Sequence, residues 1–196
     1  MANYNKKISD TTARIGEVRF CYAHVFEKYD SDGDESKAKY SVCVLIPKSD
    51  KKTLALVEEL IEAAKQKGKT SKWGGKIPKN LSISLRDGDE EDDRGEEFEG
   101  MMFFNANSPK TKPGVRVLDH GKVVEALDED DFYSGCWGAI TVAAFPYDSN
   151  GNKGVALALN NVIKTRDDER LSGGTSADAD FADMGDGDDD DDMLND

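Results

Sequence analysis

The sequence predicts a mainly β fold: a small barrel of short strands with one packed amphipathic helix, followed by a disordered acidic C-terminal tail. Three observations predict it. Apolar and polar residues alternate over many short stretches separated by Gly-containing turns. One segment, residues 49–68, carries apolar residues at helical spacing. Residues Gly173–Asp196 hold ten Asp and no Lys or Arg, a composition that buries too little apolar surface to offset the entropy of ordering. No repeat at a period of about 20–50 residues is visible, which excludes solenoids and propellers.

The elements follow in order. Residues 1–13 are polar, as frayed termini are. Ile15 to Phe26 alternates as a strand, with Val18, Phe20, Tyr22, His24 and Phe26 on one face and Arg19, Cys21, Ala23 and Val25 on the other. Tyr29 to Ser36 reads as a hairpin tip. Its Asp30, Asp32 and Asp34 open like a calcium loop, but the sixth and twelfth positions are Glu35 and Ser41, where the motif needs Gly and Glu. Lys39 to Pro47 is the return strand, with Tyr40, Val42, Val44 and Ile46 on one side. Ser49 is the expected N-cap of a helix, Leu54, Val57, Leu60, Ile61 and Ala64 its packing stripe, and Gly68 its stop. Trp73 to Asn80 has loop chemistry, Leu81 to Leu85 a short strand and Asp87 to Glu99 an acidic loop. Met101 to Asn105 is a further strand. Val115–Leu118 and Val123–Leu127 pair across a turn, Tyr133–Tyr147 forms a long strand bulged near its glycines, and Val155–Lys164 closes the fold.

Composition narrows the function. No apolar run approaches the ~20 residues of a membrane helix, and the N-terminus lacks the apolar stretch of a signal peptide, so a soluble cytoplasmic protein is expected. Cys21, Cys43 and Cys136 are odd in number, far apart and each in an apolar stretch. They read as buried small hydrophobes rather than a disulfide or zinc framework. With His24 and His120 as the only histidines, neither a metal site nor a nucleophile at local spacing is expected, and no cofactor. The carboxylates sit in runs that stay solvated and ionised, whereas catalytic pairs need burial to separate their pKa values; an enzyme is not expected.

The net charge of −14 comes from 40 acids against 26 bases, yet its distribution favours a polyanionic partner. Without the ten tail Asp the body carries −4. Asp87–Glu99 holds nine acids with Arg94, and Glu125–Asp131 holds five; outside these blocks 25 bases face 16 acids. From Ala63 to Arg86 there is no acid but seven bases, with Trp73 in the middle. Amines that pair with phosphates, interleaved with rings that stack on bases, suit a single-stranded nucleic acid. Trp73, Tyr22 and Tyr40 are the stacking candidates. Lys72, Lys76, Lys79, Arg86, Lys110, Lys112 and Arg116 are the phosphate candidates. The alternative is a solvated lysine-rich loop around a buried Trp73, with Tyr22 and Tyr40 as core rings. Phe20, Phe103, Phe104 and Trp137 lie in apolar surroundings and read as core.

Lys72–Leu81, Leu85–Asp89, Phe104–Ser108, Tyr133–Cys136, Asn150–Gly154, Leu159–Asn161 and Phe181–Asp183 resemble, in order, a family of phage-encoded single-stranded DNA-binding proteins. The resemblance implies an OB-fold five-stranded barrel with extra hairpins over residues 1–172. It implies duty in DNA replication, recombination or repair in the host cytoplasm, and it leaves room for a homo-oligomer. It also implies that the tail, residues 173–196, competes with DNA for the basic groove. Displaced by DNA, the tail would present Phe181, Met184, Met193 and Leu194 to replication partners such as a DNA polymerase or helicase. This tail ends on Asp196, whereas several such proteins end on a bulky apolar residue. Two other classes are an acidic DNA-mimic protein, which the acid-free window opposes, and a metal-dependent nuclease using Asp87, Asp89 or Glu90.

Overall fold

The structure is a computed structural model that describes residues 3–171. Phe181, Met184, Met193 and Leu194 lie outside the described residues. The strands are β1 (Lys6–Lys7), β2 (Thr12–Tyr29), β3 (Lys39–Pro47), β4 (Ser82–Ile83), β5 (Arg86–Asp87), β6 (Met101–Ser108), β7 (Gly114–Asp119), β8 (Lys122–Glu125), β9 (Trp137–Ser149) and β10 (Asn152–Arg166). One helix, α1 (Lys51–Ser71), follows β3.

Five strands close on themselves in the order β6-β3-β2-β9-β10. Closure is made by two parallel partners, Leu157 with Ala106 and Ala158 with Asn107. On one side of that contact the two strands splay, and the segment from β4 to β5 fills the gap: Ser82 and Ile83 pair with β10, Arg86 and Asp87 with β6. On the other side β7 takes over the edge of β10, and the β7–β8 hairpin extends it. The result is the closed barrel with one helix expected from the resemblance, an arrangement that leaves few free strand edges. Gly138 is required by the β9–β10 pairing, because a Cβ there would strike the Ile163 carbonyl of the neighbouring strand.

Inward residues follow the strand period. Val18, Phe20, Val42, Val44, Phe104, Ala106, Ile140, Val142, Leu157 and Leu159 are all buried. The helix lays Leu54, Val57, Leu60, Ile61 and Ala64 onto this core. Its limits differ from those expected. Asp50, not Ser49, is the N-cap: its carboxylate accepts from Thr53 N at 3.1 Å and from Thr53 Oγ1 at 2.6 Å. Gly68 does not end the helix but lies buried within it. A Cβ there would come within 2.6 Å of the Trp73 ring and 2.7 Å of Pro146. Its smallness therefore serves packing, not termination.

β2 departs from simple alternation. Its pairing with β3 shifts register between Cys21 and His24, and Tyr22 takes a left-handed φ of 46°. The side chain leaves the Phe20 face and becomes 46 % exposed, while Val25 turns inward. A non-glycine residue at positive φ is held there only by its surroundings.

The acidic segment is folded rather than a free loop. Two 3₁₀ turns, Gly88–Glu90 and Glu96–Phe98, lay Phe98 over the barrel exterior, where it packs with Cys21, Cys43, Leu45 and Phe103 and is 1 % exposed. Lys48 clamps the start of the segment through Asp87 at 2.5 Å and Asp89 at 2.6 Å, and Asp89 accepts from Gly100 N. Hydrogen bonds from Lys48 come first among the causes that hold both carboxyls below their ordinary value of 3.8. A carboxylate with a lowered folded pKa stabilises the fold fully above its unfolded value and loses that effect as pH falls through the folded one. Lys48→Met should therefore lower the urea midpoint at neutral pH, and the gap from wild type should close below about pH 4. A gap that stays constant down to pH 2 would show that these ion pairs do not hold the segment.

Candidate nucleic-acid interface

On the barrel exterior, Ser41, Asn105 and Asn107 project from β3 and β6, opposite in direction to buried Val42, Phe104 and Ala106. Bases stand at both ends of this face. At the start of β6, Arg86 lies 4.5 Å over the Phe103 ring and Arg94 lies 5.3 Å from both Phe98 and Phe103. Past its end, Lys110 and Lys112 are exposed. Arg86 and Arg94 both approach Glu91, at 3.1 and 3.9 Å, so the acidic segment partly neutralises the arginines it covers.

The expected site residues divide into groups. Lys112 and Arg116 line one cleft with Phe26 and Glu125, close to Lys110 in sequence. Lys72, Lys76 and Lys79 are exposed in the loop after α1, which runs into β4 beside the start of β10. The structure does not gather these two groups at one spot. Tyr22 is exposed and stands 6.4 Å from Phe98. Tyr40 is half-buried at the rim, with Lys28 Nζ 5.8 Å from its ring.

Trp73 is a correction. The ring is 7 % exposed, packs over Gly68 and Pro146, and donates its indole N–H to the Tyr147 carbonyl at 3.2 Å. No face remains for a base; the apolar ring was drawn into the core by partners on α1 and β9, although its sequence neighbours are lysines. Phe20, Phe103, Phe104 and Trp137 are core residues as expected.

Several residues of the exterior escaped the sequence reading. Tyr29 is 50 % exposed and its ring stacks on His24 at 4.2 Å. Arg170 sits 4.3 Å over Tyr133, and Tyr133 Oη donates to Asp167 at 2.8 Å. Burial, then the hydrogen bond to Asp167, pushes the Tyr133 hydroxyl up to about 12, so it stays neutral. For Tyr29 the available signal was the run of rings from Tyr22 to Tyr29; Tyr133 and Arg170 gave none, because Asp167 and Asp130, which hold them, are 34 and 40 residues away. Phe145, 44 % exposed on β9, is a further ring of this kind.

Cys21, Cys43 and Cys136 are free and buried. The thiol–thiol contact with Cys43 and burial keep Cys21 protonated, and burial pushes Cys136 up to about 11. Asp87 and Asp89 are partners of Lys48, and no group of three metal-ligating side chains occurs among the described residues. No described helix is long and apolar enough to cross a membrane.

The family model of the Enterobacter phage Enc34 single-stranded DNA-binding protein matches residues 11–194 of this chain. The chain belongs to that family. The match to the Enc34 family covers the barrel and extends through the acidic segment after residue 171. Protein p50 of Acyrthosiphon pisum secondary endosymbiont phage 1 is 31 % identical over 170 residues, which are 82 % of this chain and 86 % of that protein. The Enc34 protein solved in complex with single-stranded DNA has 25 % identity and a TM-score of 0.67, over 85 % of this chain and 96 % of that one. The single-stranded DNA-binding protein of bacteriophage T7 shares the fold at 18 % identity, with a TM-score of 0.53 over 97 % of this chain and 100 % of that one.

Proposed function

We propose that this protein binds single-stranded DNA without sequence preference and without chemistry, covering strands exposed in phage DNA replication, recombination or repair in the host bacterial cytoplasm. The observation that carries the reading is the barrel shared with an Enc34-family protein solved on single-stranded DNA, which here bears a polar exterior on β3 and β6 with cations at both ends. The lysines and arginines track phosphates while exposed rings stack on bases. Lys110, Lys112 and Arg116 serve one end of the strand's path, and Arg86 the other. Lys72, Lys76 and Lys79 extend it around the β10 side.

The tail belongs to the same proposal. Leu171, the last described residue, packs against the exterior cluster of Cys21, Cys43 and Phe98, beside the face that DNA would occupy. The ten carboxylates of residues 173–196 compete for the cations when DNA is absent. DNA releases them, together with Phe181, Met184, Met193 and Leu194, to dock replication proteins such as a polymerase or helicase. A second copy of the chain could add to coverage of a long strand.

The test is a titration of labelled oligo-dT and of duplex of equal length. Tighter binding of oligo-dT is expected, because a duplex hides the base faces that the rings need. Equal affinity for the two would sink the reading.

A further inference from the structure

We infer that Tyr22, Tyr29, Tyr133 and Arg170 form a pocket for one unpaired nucleobase, beside the β3–β6 face and separate from the lysine positions. The inference rests on the single-strand reading above and names where one base goes.

Four observations converge on this place. A cleft of about 380 Å³ opens between the second half of β2 and the segment before β9; its lining includes these four residues, His24, Ser134 and one acid, Glu129. That is within the ~300–1,000 Å³ of small-ligand pockets. The lining is unusually aromatic for solvent-facing surface: Tyr22 and Tyr29 are 46 % and 50 % exposed, and Tyr29 is already stacked flat on His24, with an interplanar angle of 9°. The His24 ring stays neutral at pH 7, because burial lowers its pKa from 6.5. It supports the tyrosine without adding charge.

Tyr22 is the third observation. It owes its outward position to a left-handed backbone that disfavours any residue with a Cβ. The strain points to a use for the ring where it stands, since a glycine or asparagine would hold the bulge at less cost. Fourth, Arg170 supplies a fixed cation. Its guanidinium lies on Tyr133 and its Nη2 reaches Asp130 at 3.0 Å, which orients it along the cleft wall. A planar guanidinium with exposed rings is the combination that holds an unstacked base next to its phosphate.

The pocket is continuous with the β3–β6 face. Tyr22 follows Cys21, which pairs with Cys43, and Cys43 pairs with Asn105. Phe98 and Leu171 cover those two cysteines, and Tyr22 stands 6.4 Å from Phe98 at the edge of the cover, so a strand crossing Asn105 and Asn107 would pass over it to reach Tyr22. A nucleobase fits this chemistry better than an apolar peptide, because the exposed groups are π faces and hydroxyls rather than aliphatic side chains.

The test uses full-length protein with oligo-dT and with the same oligonucleotide carrying abasic sites. Tyr22→Gly removes the ring and suits the left-handed backbone, so folding is retained. Tyr29→Leu keeps apolar bulk but no π face, and Tyr29→Phe restores one. Tyr22→Gly and Tyr29→Leu should each weaken oligo-dT binding on the order of 5- to 150-fold, with Tyr29→Phe close to wild type. All should bind the abasic strand as wild type does. Unchanged oligo-dT affinity in both ring-removing variants would overturn the pocket, as would equal losses on the normal and abasic strands. If wild type failed to prefer oligo-dT over duplex, the single-strand reading itself would fall instead.

Discussion

Trp73→Ala should destabilise the protein by about 3–5 kcal/mol, the range for emptying a buried large aromatic site. For a domain of this size that is a fall in Tm of roughly 6–20 °C. The folded fraction should bind oligo-dT nearly as wild type does. The ring fills the angle between α1, where Gly68 leaves room for it, and the end of β9, where Pro146 and the Tyr147 carbonyl receive it. Removing it costs dispersion contacts, leaves the Tyr147 carbonyl without this donor and opens a cavity that neighbours on helix and strand cannot both collapse into. Thermal melts and binding isotherms below the melting range separate the two roles. A variant that melts like wild type but binds several-fold more weakly would return Trp73 to the DNA surface.

Removal of residues 173–196 should tighten single-strand binding on the order of tenfold at low salt, because covalently linked charges compete intramolecularly, at an effective concentration of roughly millimolar where the link is short. The deletion changes the net charge from −14 to −4, and Leu171, the last described residue, packs next to the proposed binding face. Exposed charges are screened within ~10 Å at 0.1 M salt, so full-length and truncated proteins should converge as salt rises. Both should lose affinity with salt at a log–log slope of about −0.7 per phosphate contacted. The full-length slope should be shallower, since salt also weakens its competitor. Paired salt titrations read this directly. Equal affinities at every salt would show that the tail never competes with DNA.

How far the sequence reaches is clearest element by element. β3 was readable to the residue, because Tyr40, Val42, Val44 and Ile46 alternate without interruption and β6 pairs with it in one unbroken register from Tyr40 to Pro47. The β7–β8 hairpin was readable for the same local reason, as was the apolar stripe of α1. The resemblance carried the family and the closed barrel. Charge position along the chain separated the tail from the body and marked the lysine loop.

Other features were settled in three dimensions. Phe98 sits among acids in the sequence, so its neighbours announce solvent; only Cys21, Cys43 and Phe103, brought together from three strands, make it a buried ring and turn the acidic run into a folded cover. Trp73 sits among lysines and was misread in the opposite sense, since its acceptor is 74 residues away. Tyr22 breaks the period of two with a left-handed backbone, and the β2–β3 register shifts there and again before Tyr29, so strict alternation no longer says which side chain of β2 faces the core. The sequence by itself determined the two local hairpins, the packing stripe of the helix and the blocks of charge, because those depend on local period and composition. The tertiary structure decided which aromatic rings face water, because burial of a ring is set by partners distant in the chain and not by the residues beside it.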